Sequence, residues 1–251
     1  METAKKMMPA PRCLLNTPHL NPDKGRYVSL LFARIAARYD LINNAISFGM
    51  HKRWRHIAVA MSGLKEGDSA LDVATGTGDF AIELAKAVGK DGRVTGVDFC
   101  EAMLDIARHK TRSFSNITYA YADATNLPFA DASFNCCTIG FALRNVADVN
   151  AAISEMVRVI KPGGRVISLE ITKPNSDWIG KIKRFYFRKI IPKIAHLLGG
   201  DKEGYDYLPE SIEQFYTKDE LTELFKRYGL SDVRVIEFAF GSVCIHVGTK
   251  K

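Results

Sequence analysis

The run Ala70-Leu71-Asp72-Val73-Ala74-Thr75-Gly76-Thr77-Gly78-Asp79 constrains this chain more tightly than any other stretch of it. Leu71, Val73 and Ala74 have the continuous apolar character of a parallel strand buried on both faces. Gly76 and Gly78 permit a sharp turn and a close approach of backbone to ligand, and Phe80 to Val88 resumes a helical pattern. A strand that breaks into a glycine loop and restarts as a helix places backbone N–H groups beside a ligand, an arrangement suited to a cofactor that carries an adenosine.

The same rhythm continues downstream. The pattern predicts strands over 93–99, 117–121, 134–141 and 165–171, with helices over 101–112 and 151–160, the second ended by Pro162-Gly163-Gly164. Upstream, Leu31, Ile35 and Tyr39, and then Trp54, Ile57, Ala58 and Met61, recur at helical spacing and predict two helices before the first strand. After the fifth strand comes a basic helical region over 178–198, interrupted at Pro192. An amphipathic helix over 217–228 follows, with Thr217 and Glu220 forming a capping box. Strands over 233–240 and 243–247 flank Gly241-Ser242, a two-residue connection suited to a type II′ hairpin. Alternation of this kind implies an α/β fold with a doubly wound, Rossmann-like sheet of about seven strands, the last antiparallel. That terminal hairpin departs from the all-parallel six-strand order of nicotinamide enzymes and resembles a class I methyltransferase. Residues 1–25, with Pro9, Pro11, Pro18 and Pro22, are expected to form a flexible leader. Residues 26–251 are expected to form a single domain with N-terminal helices and a basic helical cover at about 176–200.

No apolar stretch approaches the roughly 20 residues that span a bilayer, and no signal-type segment follows Lys5 and Lys6, so a soluble, unexported chain is expected. Cys13, Cys100, Cys136, Cys137 and Cys244 include no C-x-x-C pair and no metal-ligand spacing with histidines. They read as free thiols in a reducing cytoplasm, with no metal. Charge is uneven: residues 1–60 carry a net +7 and residues 173–198 a net +6, while 61–172 and 199–251 are each −3. The cofactor core is thus mildly acidic, and its basic flanks suit an anionic lipid surface or a nucleic acid.

The glycine loop alone leaves the cofactor open, because Gly76-x-Gly78-x-x-Ala81 also satisfies the dinucleotide fingerprint and Asp98 lies 20 residues after Gly78. An acidic residue at the end of the second strand receives ribose hydroxyls in either case. Asp72 favours the aminoacyl end of S-adenosylmethionine over a pyrophosphate, which a carboxylate would repel. Asp123-Ala124, just after the third strand, suits the adenine amino group. No tyrosine has a lysine four residues on, as a short-chain dehydrogenase would require. The reading is S-adenosylmethionine, with S-adenosylhomocysteine as product. Each residue also has a plainer reading: Asp79 as a helix N-cap, Asp123 as a turn residue, and the two glycines as a tight turn.

Tyr39-Asp40-Leu41-Ile42-Asn43-Asn44, Ser47-Phe48-Gly49-Met50-His51, Asp123-Ala124-Thr125-Asn126-Leu127-Pro128-Phe129, Phe141-Ala142-Leu143-Arg144-Asn145-Val146 and Lys161-Pro162-Gly163-Gly164 together resemble the UbiE/MenG family. Its members are the C-methyltransferases of ubiquinone and menaquinone biosynthesis. The similarity runs from about Val28 to Lys250 and includes Ile245-His246-x-Gly248-x-Lys250. It implies cofactor contacts at Thr77, Asp98, Asp123-Ala124 and Gly140. Position 140 is glycine where family members often have serine, and Thr75 stands where they often have glycine.

The reaction implied is methyl transfer to a ring carbon of a reduced polyprenyl quinol, either demethylmenaquinol or the ubiquinone-precursor benzoquinol. Tyr39, Arg144 and Asn145 are the catalytic candidates: Arg144 to stabilise a developing phenolate, Asn145 to fix a quinol oxygen, and Tyr39 to orient the ring or relay a proton through water. On the residues alone, Tyr39 reads as helix packing and Arg144 as a surface ion pair with Asp148. His51 and His56 are weaker base candidates, for which structural roles are preferred. The basic stretch 179–198, with interleaved Ile182, Phe185 and Tyr186, suits peripheral contact with an anionic membrane at the inner face, or equally an ordinary helix covering the sheet. RNA binding or RNA methylation is the less favoured rival, because no aromatic platform for single strands is evident, and methylation of another small molecule shares the same cofactor loop. A homodimer is left open by the sequence.

Overall fold

The computed structural model describes residues 22–174 and 177–251. The expected leader and Cys13 fall almost wholly outside them. Seven strands form one sheet in the order β3-β2-β1-β4-β5-β7-β6. They are β1 (Ser69–Val73), β2 (Arg93–Asp98), β3 (Ile117–Tyr121), β4 (Phe134–Gly140), β5 (Ile160–Ile171), β6 (Leu230–Phe238) and β7 (Val243–Lys250). The β3-β2-β1-β4-β5 pairs are parallel, and β7 runs antiparallel between β5 and β6. This is the mixed sheet that the strand pattern predicts.

Helices cover both faces because the central strands are apolar on both. Cys136 and Cys137 show this in two residues: the first packs with Trp54, Phe80 and Leu84 on one side, the second with Ile153, Met156 and Phe225 on the other. Burial pushes the Cys136 thiol up to about 12 and raises that of Cys137 well above its ordinary value, so both act as small hydrophobes. One layer contains α3 (Met50–Ala60) and α4 (Asp79–Val88), and the other α6 (Val149–Val159) and α10 (Lys218–Arg227). α5 (Glu101–Lys110) follows β2.

A third apolar cluster lies beyond the sheet and forms a cap. It brings together Ile35 of α1 (Pro22–Ile35), Ile42 of α2 (Tyr39–Ile46), Met103 of α5, Ile191 and Ala195 of α8 (Ile191–Leu197), and Tyr205 and Ile212 of α9 (Lys202–Glu213). α7 (Trp178–Phe185) joins α8 through a π-helical turn over Tyr186–Ile190. Pro192 therefore sits in the first turn of α8, and the extra residue in the π-turn absorbs the break that a mid-helix proline predicts.

Other expectations need correction. Three helices and a 3-10 turn precede β1, and the first of them begins at Pro22, inside the segment expected to be a flexible leader. The α9 helix has no counterpart in the sequence reading, since Gly204 and Pro209 interrupt its pattern. The hairpin turn has four residues, Ala239 to Ser242, and Ala239, Phe240 and Gly241 all have left-handed backbone, so Phe240 leaves the strand. The Thr217–Glu220 capping box forms as its sequence predicts.

Candidate functional site

The strand order reverses between β1 and β4, so the connections leaving their carboxyl ends diverge to opposite sides and open a crevice. Two non-glycine residues there, Ala74 after β1 and Phe141 after β4, have φ of 51° and 56°, and Gly76 and Gly78 follow at 55° and 83°. The backbone is therefore bent sharply at the crevice, as the glycine spacing requires.

Asp98 ends β2 and reaches across to this loop. One of its oxygens accepts the Gly76 N–H at 2.8 Å and the other the Cys100 N–H at 2.9 Å. Burial pushes its carboxyl up to about 6, against the pull of those backbone donors. The carboxylate keeps acceptor capacity for a ribose hydroxyl, and a Cβ built on Gly76 would meet only open space, so the residues present fit an adenosyl cofactor.

The other cofactor candidates are engaged differently. Asp72 is buried, and its two oxygens accept the hydroxyls of Thr75 at 2.6 Å and Thr138 at 2.7 Å, which ties β1, its loop and β4 together. Thr77 donates to Asp40 at 2.6 Å, and Lys110 bridges Asp40 and Asp79. Asp123 is exposed and accepts both the N–H and the hydroxyl of Thr125, the Asx-turn arrangement of its plainer reading, while Ala124 packs into the core. Gly140 lies against Phe80, whose ring would be 2.7 Å from an added Cβ, so serine at this position requires the ring to move. The expected N-cap role of Asp79 is not realised: Gly78 is the cap, and Asp79 lies in the first turn. There burial works against its charge, but Arg55 and Lys110 outweigh it and hold the carboxyl below its ordinary value.

The three catalytic candidates come together on one apolar cavity of about 580 Å³, walled by α1, α2, α3, α9, the π-turn and the β6–β7 turn. Tyr39, Arg144 and Asn145 all line it, as do His51 and Arg55, which sequence reasoning ranked below them or passed over. Burial raises the Tyr39 phenol above its ordinary value, against the opposing charge of Arg55 and a hydrogen bond with Asn43. Arg144 is not a surface residue paired with Asp148. Its guanidinium is buried and bonds the fully enclosed Glu170 at 2.5 Å and the Phe141 carbonyl at 2.7 Å, while Asp148 caps α6. Six buried polar atoms without a partner among the described residues belong to lining residues: His51 Nε2, Trp54 Nε1, Arg55 Nε, Arg144 Nε, Asn145 Oδ1 and Tyr205 Oη. Orphans concentrated on one cavity are the mark of a site that receives a ligand with polar atoms of its own. None of the loop-side candidates, Asp72 through Asp123, lines the cavity, yet Asp79 lies 3.7 Å from both Arg55 and His51 and joins the two compartments.

Known proteins resemble this chain in both sequence and fold. A "Demethylmenaquinone methyltransferase" of Staphylococcus haemolyticus is 41% identical over 92% of this chain and 97% of its own length. One from Staphylococcus aureus is 43% identical over 89% and 93%. A crystal structure of a SAM-dependent methyltransferase from Thermotoga maritima superposes with a TM-score of 0.60 at 19% identity, covering 88% of this chain and 98% of that one, which bears on the fold alone. Residues 21–250 match the model of the ubiE/COQ5 methyltransferase family, and with a crevice, loop and cavity of this kind the chain belongs to that family of S-adenosylmethionine-dependent methyltransferases.

Proposed function

We propose that this protein methylates a ring carbon of demethylmenaquinol, with the benzoquinol precursor of ubiquinone as the alternative acceptor. The carrying observation is the cavity: an apolar chamber of about 580 Å³ that collects Tyr39, Arg144 and Asn145 and is rimmed by exposed apolar side chains. The names borne by the staphylococcal relatives favour the naphthoquinol. Bound S-adenosylmethionine supplies an electrophilic methyl group on its sulfonium. The chain's own residues align the ring and exclude water. Asn145 and Tyr39 hold ring oxygens. The Glu170 carboxylate neutralises much of the Arg144 charge, so Arg144 acts as a fixed dipole toward a developing phenolate and the proton leaves through water. Asp98 holds the ribose, and Asp123-Ala124 and Gly140 border the nucleoside.

The rim supports contact with an anionic bilayer. Phe48 is 80% exposed, Phe240 91% and Ile182 59%, and all three line the cavity. Trp178 and Phe185 stand exposed on α7, with Lys181, Arg188 and Lys189 exposed on the same segment. An apolar rim set among cations fits a lipid surface from which a polyprenyl tail need not be fully extracted, and it lacks the stacked platform that RNA would use. Among the described residues no helix is long and apolar enough to cross a membrane.

The test is incubation with labelled S-adenosylmethionine and a panel of reduced demethylated naphthoquinols and benzoquinols, locating the label by mass spectrometry. Label on a naphthoquinol ring carbon is expected. A protein that labels none of the panel, but methylates RNA or an untailed metabolite, refutes the proposal.

A further inference from the structure

His51 lines the acceptor cavity, is 4% exposed, and has one ring nitrogen bonded and the other, Nε2, buried without a partner among the described residues. The bonded nitrogen settles the chemistry. Arg55 Nη1 lies 2.7 Å from His51 Nδ1, and a guanidinium has only donors, so Nδ1 must offer its lone pair. An imidazole whose Nδ1 accepts is uncharged and carries its single proton on Nε2. Arg55 is itself fixed: its guanidinium also donates to the His51 carbonyl at 3.2 Å, lies over the rings of Phe80 and Phe141, and is 3.7 Å from Asp79. We infer that His51 presents a neutral Nε2–H donor to a ring oxygen of the acceptor, and that Arg55 is the positioning residue that holds it in that tautomer.

This inference rests on the quinol reading above and assigns His51 a role opposite to that of a base. The ring hydroxyl gives its proton to water, the imidazole keeps its own, and the Nε2–H bond steadies the oxyanion; once the ring carbon is methylated its hydrogen leaves to water and the oxygen takes a proton back, which restores the aromatic ring. The groups facing the ring agree. Burial first and the Arg55 charge second, helped by Lys52 and opposed by Asp79 and Asp40, bring the imidazole down to about 4. Asp79 does not draw a proton onto the ring, because Lys110 and Arg55 already answer its charge.

Two measurements test the inference. The full-length protein, labelled with nitrogen-15 histidine and saturated with S-adenosylhomocysteine, should show by NMR a His51 ring in the Nε2–H form, unchanged from pH 8 to pH 5 and absent from His51→Gln. Beside it stands a second such ring from the buried His246, whose Nε2 donates to the Lys218 carbonyl at 2.9 Å and whose signal persists in that variant. In Arg55→Met the His51 ring should titrate within that range. A wild-type His51 that is an imidazolium at pH 6, or carries its proton on Nδ1, overturns the inference; with the ring assigned through its own backbone resonances in the wild-type protein, this reading needs neither turnover nor a folded variant. In the second measurement, His51→Gln keeps an N–H donor and should stay within about fivefold of the parent kcat. His51→Leu should lose roughly 10- to 100-fold, and the acid limb of its pH–rate profile should move up by about one to two pH units. Equal losses in the two variants, or an acid limb that does not move, also overturn it. Should the parent transfer methyl to no quinol at all, the proposed function fails, while the tautomer is still read from the spectrum.

Discussion

Asp98 carries a conflict between stability and function that a single residue can expose. Its carboxyl is nearly enclosed and sits at about 6 in the fold, against an ordinary 3.8. Between pH 4 and pH 6 the folded protein therefore keeps a proton that the unfolded chain has released, so this group's contribution to stability falls as pH rises through that window and stays low above it. Asn at this position removes the charge and keeps one carbonyl acceptor for Gly76 or Cys100. Asp98→Asn should be more stable than the parent by about 1–2 kcal/mol at pH 7, with the advantage gone by pH 4, when urea unfolding is followed at both pH values. The same variant should lose S-adenosylhomocysteine binding in calorimetry. Lower stability at pH 7, with binding intact, would refute this placement of Asp98. The residue scale is also where the sequence was hardest to read. Arg144 has an acid four positions on, but Asp148 is drawn to the open N–H groups of α6, and the true partner, Glu170, is 26 residues away on a different strand. His51 gave no signal of its own beyond the motif, because its role depends on Arg55 one helical turn later and on an unpartnered atom that only packing creates.

At the scale of elements, the two glycines after β1 do different work. Gly78 has φ 83°, and a Cβ there would lie 2.6 Å from the Tyr119 hydroxyl; Gly76 has φ 55° and faces open space. Gly78→Ala should therefore cost about 2–3 kcal/mol of stability through backbone strain and collision. Gly76→Ala should cost about 1 kcal/mol and fall mainly on cofactor affinity, since its methyl enters the space beside Asp98. Urea unfolding and calorimetry on the two variants separate these effects, and equal losses of stability would contradict the assignment. This strand-loop-helix unit was legible in sequence because buried parallel strands, glycine turns and amphipathic helices each leave a periodic mark. Where the mark was missing, the reading failed. Ala239 and Phe240 adopt left-handed backbone with no glycine or asparagine to announce it, so the sequence predicts a hairpin turn two residues shorter than the one that forms. The α9 helix keeps its apolar face across Gly204 and Pro209 only because the cap supplies tertiary partners.

Over the whole molecule, the exposed rim and the cationic α7 segment make orientation at a surface the property to measure. The protein should co-sediment with vesicles containing anionic lipid at low salt, bind less at high salt, and lose about tenfold in partitioning when Phe48 and Phe240 are both changed to Ser. No binding at either salt removes the docking reading. The cap is also joined to the glycine-loop side through α2. Adjacent residues of α2 serve the two compartments: Tyr39 lines the acceptor cavity while Asp40 accepts the Thr77 hydroxyl of the glycine loop. On the proposed assignment of the two compartments, anyone reshaping this enzyme for a bulkier aromatic nucleus should accordingly carve from the α9 wall, at Tyr205 or Leu208, and leave α2 where it is, because shifting that helix to gain room would drag the glycine loop along with it.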